Sequence, residues 1–184
     1  MHHLIIKTER LLLRPFNLND AKRVQQLAGD KRISDTTLFI PHPYPDGAAE
    51  EWISTHKEKA ESGNEYVFAI TLKDQNDIIG AIGLVVNKTF NNAEAGYWIG
   101  VPYWNNGYVT EALASVIKFA FTELNLNKVH AHYMASNIAS GKAMIKNGMQ
   151  KEGYFRKHIF RNNEYHDAIF YGILREEYLA NDKK

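Results

Sequence analysis

The run from Gly100 to Ala112, GVPYWNNGYVTEA, joins an apolar and aromatic stretch to a long amphipathic segment through a short turn. This arrangement can aim several free main-chain N–H groups at an anion. The first turn of a helix leaves its N–H donors unpaired and carries a partial positive charge, so a phosphate fits there without a basic side chain. Gly107 has no Cβ to keep such a ligand at a distance. The segment lacks the Gly-Lys-Ser/Thr of a Walker loop and the three glycines of a dinucleotide fingerprint. On these residues alone, a plain structural turn remains open beside a phosphate site.

The elements around the turn must position it. After it, Val109, Ala112, Leu113, Val116, Ile117, Ala120, Phe121 and Leu124 recur at three- and four-residue steps and predict one apolar helix face. Before it, Glu65–Leu72, Ile78–Val86 and Glu94–Val101 predict a three-strand meander, with turns at 74–77 and at Asn91–Asn92. Lys128–Ala135 predicts a strand, Asn137–Lys146 a short helix stopped at Asn147–Gly148. Gln150–Phe160 and Glu164–Leu174 predict an antiparallel pair turning at Asn162–Asn163. Upstream, Ile5–Arg14 predicts a first strand, Asn17 or Asn19 a cap for a helix to about Ala28, and Asp46 a cap for a helix to about Ser62 with Trp52, Ile53 and His56 inward. The segment from Thr36 to Pro45 holds three of the five prolines and predicts a rigid aromatic loop, either a surface loop or a wall of a substrate pocket.

Composition narrows the function classes. The 184 residues suffice for one domain with a sizeable core. Lys plus Arg number 22 against 21 Asp plus Glu, a net charge of +1, which gives no electrostatic case for nucleic acid or a membrane surface. No apolar run reaches the roughly 18 residues of a membrane span, and Met1–Leu4 lacks the features of a signal peptide. The chain has no cysteine, which suits the cytoplasm and removes the thiolate as a nucleophile. His2–His3 reads as a tag remnant. His130 and His132 alternate along one strand; two histidines without a third ligand predict a polar sheet face rather than a metal site, so no metal is expected. One α+β domain over 1–184, with its core at about 8–175, is the simplest account.

Three segments together carry a resemblance. Glu94-Ala95-Gly96-Tyr97-Trp98-Ile99, the run Tyr103–Leu113, and Asn137-Ile138-Ala139-Ser140 followed by Asn147-Gly148-Met149 resemble the GNAT N-acetyltransferase superfamily, in its ribosomal-protein N-terminal acetyltransferase branch. Thr8–Arg14 is similar to that branch's opening strand. Trp104, Asn105 and Val109 depart from the superfamily's Gln/Arg-x-x-Gly-x-Gly/Ala pattern. The resemblance implies a mixed, mostly antiparallel central sheet with about four helices around it, and acetyl-CoA as co-substrate.

It also implies roles. The N–H groups of Asn106, Gly107, Tyr108, Val109 and Thr110 would hold the pyrophosphate, beside Trp104 and Asn105. Main-chain groups of Ile99 and Val101 would hold the pantetheine as an added strand, and Asn137 would contact it. Lys142 and Lys146 could reach the phosphates or be ordinary solvated lysines. Glu94 would be the base that frees the amine, directly or through water, and Ser140 would protonate the leaving thiolate, with Tyr108 and Tyr133 as rival acids. Phe39, Tyr44 and Trp98 would face the acceptor. Without cysteine, direct attack by a primary amine is preferred over an acyl-enzyme. The acceptor would be a protein N-terminal α-amine or a small molecule, and a homodimer is allowed. The alternative is a non-catalytic acyl-CoA-binding module on the same fold.

Overall fold

The computed structural model describes residues 4–75 and 77–181. His2 and His3 lie outside the described residues. The chain forms β1 (Ile6–Lys7), β2 (Leu11–Arg14), α1 (Ala21–Ala28), α2 (Lys31–Thr36), α3 (Ala48–Ser54), α4 (His56–Glu61), β3 (Glu65–Leu72), β4 (Ile78–Asn87) and β5 (Asn92–Ile99). These are followed by α5 (Tyr108–Thr122), β6 (Lys128–Met134), α6 (Ile138–Lys146), β7 (Gln150–Arg161), β8 (Glu164–Leu174) and α7 (Arg175–Asn181). The sheet order is β1-β2-β3-β4-β5-β6-β8-β7. Every described pairing is antiparallel except β5 with β6. This is the expected α+β class with a mixed, mostly antiparallel sheet.

Alternation along the strands divides the interior. Tyr97 and Ile99 pack into the main core, where Leu113, Val116, Ile117, Ala120 and Phe121 of α5 meet Leu11, Leu13, Phe68, Ile70, Ile82 and Leu84 of the sheet. Trp98, between them, packs into a second cluster with Ala21, Val24 and Ala28 of α1 and Ala49 and Ile53 of α3. Successive side chains on a strand point to opposite faces. The two clusters therefore lie on opposite faces, with α5 covering one and α1 and α3 the other.

Helix number is larger than expected, seven α-helices among the described residues rather than about four. The expected 46–62 helix is broken at Thr55, where the hydroxyls of Ser54 and Thr55 bond the carbonyls of Glu51 (2.6 Å) and Trp52 (2.9 Å). Such local bonds compete with the helical ladder. Asp46 does not cap it: Gly47 holds that place, and Asp46 accepts from Gln25 Nε2 at 2.7 Å. Helix α2 takes Thr36 out of the expected loop; Asp30 caps it by accepting from Arg32 N–H. The first strand is two, because Thr8 Oγ1 accepts from Leu11 N–H (2.9 Å) and closes a tight turn. Helix α7 lies beyond the expected elements, started by Glu177 accepting from Leu174 N–H at 2.8 Å.

Candidate active site

Strands β5 and β6 pair only at Asn92–Lys128, Ala93–Val129 and Glu94–His130. Beyond Glu94 they part. Strand β5 runs on to Ile99 beside β4, while β6 runs on to Met134 beside β8. The result is a fork in the middle of the sheet, with Glu94 and His130 at its base.

The two faces of the fork carry different chemistry. Glu94 shares the face of Trp98, opposite α5. Its Oε1 lies 2.7 Å from His132 Nδ1. The His132 contact, followed by the nearby His130, holds the Glu94 carboxyl below its usual range despite partial burial. Burial pushes the His130 imidazole down, partly offset by Glu94. A groove of about 510 Å³ opens beside Glu94 and His130, with Asn64, Lys88 and Asn92 along it. Among the described residues, no three His, Cys, Asp or Glu side chains gather around one point.

On the other face lie hydroxyls. Tyr97 OH and Ser140 Oγ are 2.9 Å apart. Burial pushes the Tyr97 phenol up to about 12, so it keeps its proton at neutral pH. Tyr133 OH covers Gly141 so closely that a Cβ there would stand 2.3 Å from it; burial raises this phenol too. Asn137 caps α6 by accepting from Ser140 N–H and donates to the Thr36 carbonyl at 3.0 Å. Its amide therefore ties α6 to α2.

Strand β5 ends at Ile99, short of the expected Val101, which instead begins a 3-10 turn over Val101–Tyr103 with Pro102 in its first turn and so does not extend the strand edge. Asn105 (φ 63°) and Gly107 (φ 77°) both take the left-handed conformation. A Cβ on Gly107 would meet only Arg10 Nη2, at 3.6 Å, so the loop is open above it. The ladder of α5 begins with Glu111 N–H on the Gly107 carbonyl at 3.1 Å. The N–H groups of the preceding residues come before that ladder. Trp104 Nε1 donates to the Ile99 carbonyl at 2.7 Å, which uses one acceptor position of the strand edge expected to hold the pantetheine. Tyr108 lies under the Arg10 guanidinium, 4.8 Å from ring centre to Cζ. Val109 and Thr110 are half-buried, and Lys142 and Lys146 are exposed on α6.

Glu111 completes a clamp that sequence reasoning passed over. It accepts from Thr8 Oγ1 (2.6 Å), Arg10 N–H (2.8 Å) and Arg10 Nε (2.7 Å). Arg10 Nη1 then donates to the Asn106 carbonyl at 3.0 Å. Burial pulls Glu111 up, but these hydrogen bonds outweigh it and leave the carboxyl below its usual range. Tyr97 and His132 were also not singled out for catalysis. The only sequence signals for these residues are the motif segments that contain Arg10, Tyr97 and Glu111, and the alternation of His130 and His132.

Of the residues expected to face the acceptor, Phe39 is 88% exposed. Tyr44 and Trp98 are half-buried against α1 and α3 in the second cluster.

The pattern of the acetyltransferase (GNAT) domain matches residues 10–150. The chain belongs to the GNAT acetyltransferase family. It is an acyltransferase of the N-acetyltransferase kind. Among GNAT relatives, the chain is 34% identical over 175 residues to the uncharacterized N-acetyltransferase YnaD of Bacillus subtilis, covering 94% of this chain and 98% of YnaD. It is 24% identical over 179 residues to the [ribosomal protein uS5]-alanine N-acetyltransferase of Escherichia coli, covering 94% and 92%. A crystal structure of a GNAT-family acetyltransferase from Bacillus anthracis superposes with a TM-score of 0.82 at 28% identity, covering 94% of this chain and 99% of that one.

Proposed function

We propose that the protein moves the acetyl group of acetyl-CoA directly to a primary amine, with an N-terminal α-amine of a peptide as the favoured acceptor. The observation that carries this reading is the fork between β5 and β6, with a carboxylate on one face and a paired serine and tyrosine on the other. Acetyl-CoA would lie along the edge of β5, its pyrophosphate on the N–H groups of residues 106–110. These residues fit the group: two left-handed residues turn the main chain, no Cβ blocks Gly107, and Arg10 stands beside the loop. Lys142 and Lys146 are exposed cations for its phosphates. Bound acetyl-CoA supplies the activated thioester carbonyl.

The amine enters on the Glu94 face and gives its proton to the carboxylate. A carboxylate held low is a weak base. An α-amine, with a pKa of about 7.7–8.0, asks less of it than a lysine amine near 10.4. The E. coli relative named as a ribosomal-protein alanine N-acetyltransferase points to the same acceptor class. Ser140, 2.9 Å from the neutral Tyr97 hydroxyl, would return a proton to the thiolate, with Tyr133 over the same helix turn. A chain without cysteine suits a reducing cytoplasm.

The test is release of free thiol from acetyl-CoA with N-terminal alanyl and seryl peptides, spermidine and free amino acids as acceptors. Peptide acetylation, reduced on the order of 100-fold in kcat/KM by Glu94→Gln, is the expected result. Turnover of small amines alone would move the acceptor class, and an unimpaired Glu94→Gln would remove Glu94 from the chemistry.

A further inference from the structure

Glu94 sits where β5 loses its neighbour, with a three-torsion side chain that is 41% exposed. A free glutamate at such a place loses rotamer entropy each time it acts. Something must fix it. The group beside it is His132, whose ring is 16% exposed and whose Nδ1 is buried 2.7 Å from Glu94 Oε1, with no hydrogen-bond partner among the described residues. The ring does not depend on Glu94 for its orientation. It stacks on Phe170 of β8 at 4.6 Å and 8°. Phe170 is in turn held edge-on by Phe155 (4.8 Å) and His158 (5.7 Å) of β7. The β7–β8 hairpin thus fixes an imidazole, and the imidazole meets the carboxylate.

We propose that His132 is the positioning residue of the base: its Nδ1–H takes Oε1 of Glu94 and leaves Oε2 as the oxygen that meets the acceptor amine. This rests on the reading of Glu94 as the base. In the reaction, one proton of the ammonium passes to Oε2. The freed nitrogen lone pair attacks the thioester carbonyl carbon, the C–N bond forms and the C–S bond breaks. The nitrogen gives up its second proton to solvent as the amide forms, the thiolate takes a proton from Ser140 on the far face, Ser140 is reprotonated from solvent, and Nδ1 of His132 keeps its own throughout. The present Nδ1 to Oε1 contact is close but lacks hydrogen-bond geometry. Catalytic contacts commonly tighten only when substrate is bound.

The charged and titratable groups that bear on the pair are few. His130 lies two residues back on β6 and is opposite Glu94 in the β5–β6 register. His158 approaches from β7 across Phe170. Lys128 and Glu152, beyond His130, pair with each other at 2.7 Å. Glu94 is therefore the anion His132 meets directly, and His132 is the main reason the Glu94 carboxyl lies below its ordinary range.

Three variants test the assignment. His132→Phe keeps an aromatic ring for the stack and removes the donor. His132→Asn restores an N–H near the Nδ1 position, and Glu94→Gln removes the base. The first readout is the Glu94 carboxyl signal in a ¹³C NMR pH titration of the acceptor-free protein, assigned by its loss in Glu94→Gln. It should titrate below the usual carboxylate range in the wild type, higher in His132→Phe, and close to wild type in His132→Asn. The second readout is kcat and KM against pH with acetyl-CoA and an alanyl peptide. His132→Phe should lose about 10-fold in kcat through poorer alignment, keep its acetyl-CoA affinity, and show its acid limb moved to higher pH; His132→Asn should regain most of the loss. A Glu94 titration unchanged in His132→Phe overturns the proposal, with or without turnover. Wild-type rates in His132→Phe beside an impaired Glu94→Gln also overturn it, while leaving Glu94 as the base. A fully active Glu94→Gln overturns the base reading and the role of His132 with it.

Discussion

At the residue scale, Gly107 and His56 make opposite demands. Gly107 combines a left-handed φ of 77° with open space above it. Gly107→Asn keeps a residue type that tolerates this conformation. Gly107→Asp adds a negative charge where the pyrophosphate is proposed to bind. We expect calorimetry to show acetyl-CoA affinity reduced about 100-fold, or about 2.7 kcal/mol, in Gly107→Asp and far less in Gly107→Asn. Equal affinity in wild type and Gly107→Asp would move the phosphate site elsewhere.

His56 is buried between Trp52 (4.5 Å) and Phe16 (5.5 Å), and neither ring nitrogen has a hydrogen-bond partner among the described residues. Burial pushes its pKa down to about 4 from 6.5; Glu65 opposes this and Lys59 adds to it. Between pH 6.5 and 4 the unfolded chain takes up a proton that the folded chain refuses. Stability is therefore full above about pH 6.5, falls as pH drops toward 4, and levels off below. The loss should be at most about 3 kcal/mol. Urea melts from pH 7 to pH 4 should show this slope flattened in His56→Leu. An identical slope in both proteins would place the titrating group elsewhere.

At the scale of elements, α2 and the loop that follows it are held from two sides. Arg161, near the tip of the β7–β8 hairpin, donates to Ser34 Oγ (2.8 Å) and to the carbonyls of Ser34 and Ile40. Asn137 reaches Thr36 from α6. Arg161→Ala leaves those carbonyls without their donor, at a cost of about 1–3 kcal/mol. It should also raise acceptor KM several-fold while acetyl-CoA affinity stays within error. Phe39→Ser alters an exposed ring and should change stability by less than about 0.5 kcal/mol. Its effect on acceptor KM reads the loop's contact with substrate apart from its anchoring. Weakened acetyl-CoA binding in Arg161→Ala with unchanged acceptor KM would assign the loop to the cofactor side.

The long elements were legible from pattern. The stripe from Val109 to Phe121, the strand Glu65–Leu72 and the Asn162–Asn163 turn, with φ of 51° and 62°, appear where periodicity and turn chemistry put them, while Leu124 of the expected stripe lies just past the helix end at Thr122. Helices α2 and α7 and the break between α3 and α4 did not announce themselves. Six or seven residues give too little periodicity, and α2 and α3 depend on Asp30 and Gly47 at their starts. The candidate site was legible only along the chain. Glu94, Gly107 and Ser140 sit in contiguous motifs. His132 and Arg10 act through partners 38 and 101 residues away, across β5–β6 pairing and the turn at Thr8. Such partnerships come from the sheet's connectivity, which no local spacing encodes.

For the whole molecule, the parting of β5 and β6 bears on how the two proposed substrates would meet. A sheet normally keeps its two sides apart. Here, on the reading proposed above, the opening would let a donor held at one side be reached by a nucleophile arriving from the other, so neither molecule would stand in the other's path of entry. Both can be seated at once, and both must be for transfer without a covalent intermediate. Initial rates with both concentrations varied should give intersecting rather than parallel double-reciprocal lines. The free coenzyme product should compete with acetyl-CoA and not with the amine. Parallel lines would mean that the protein carries the acetyl group between two separate visits, an itinerary for which a two-sided doorway would have no use.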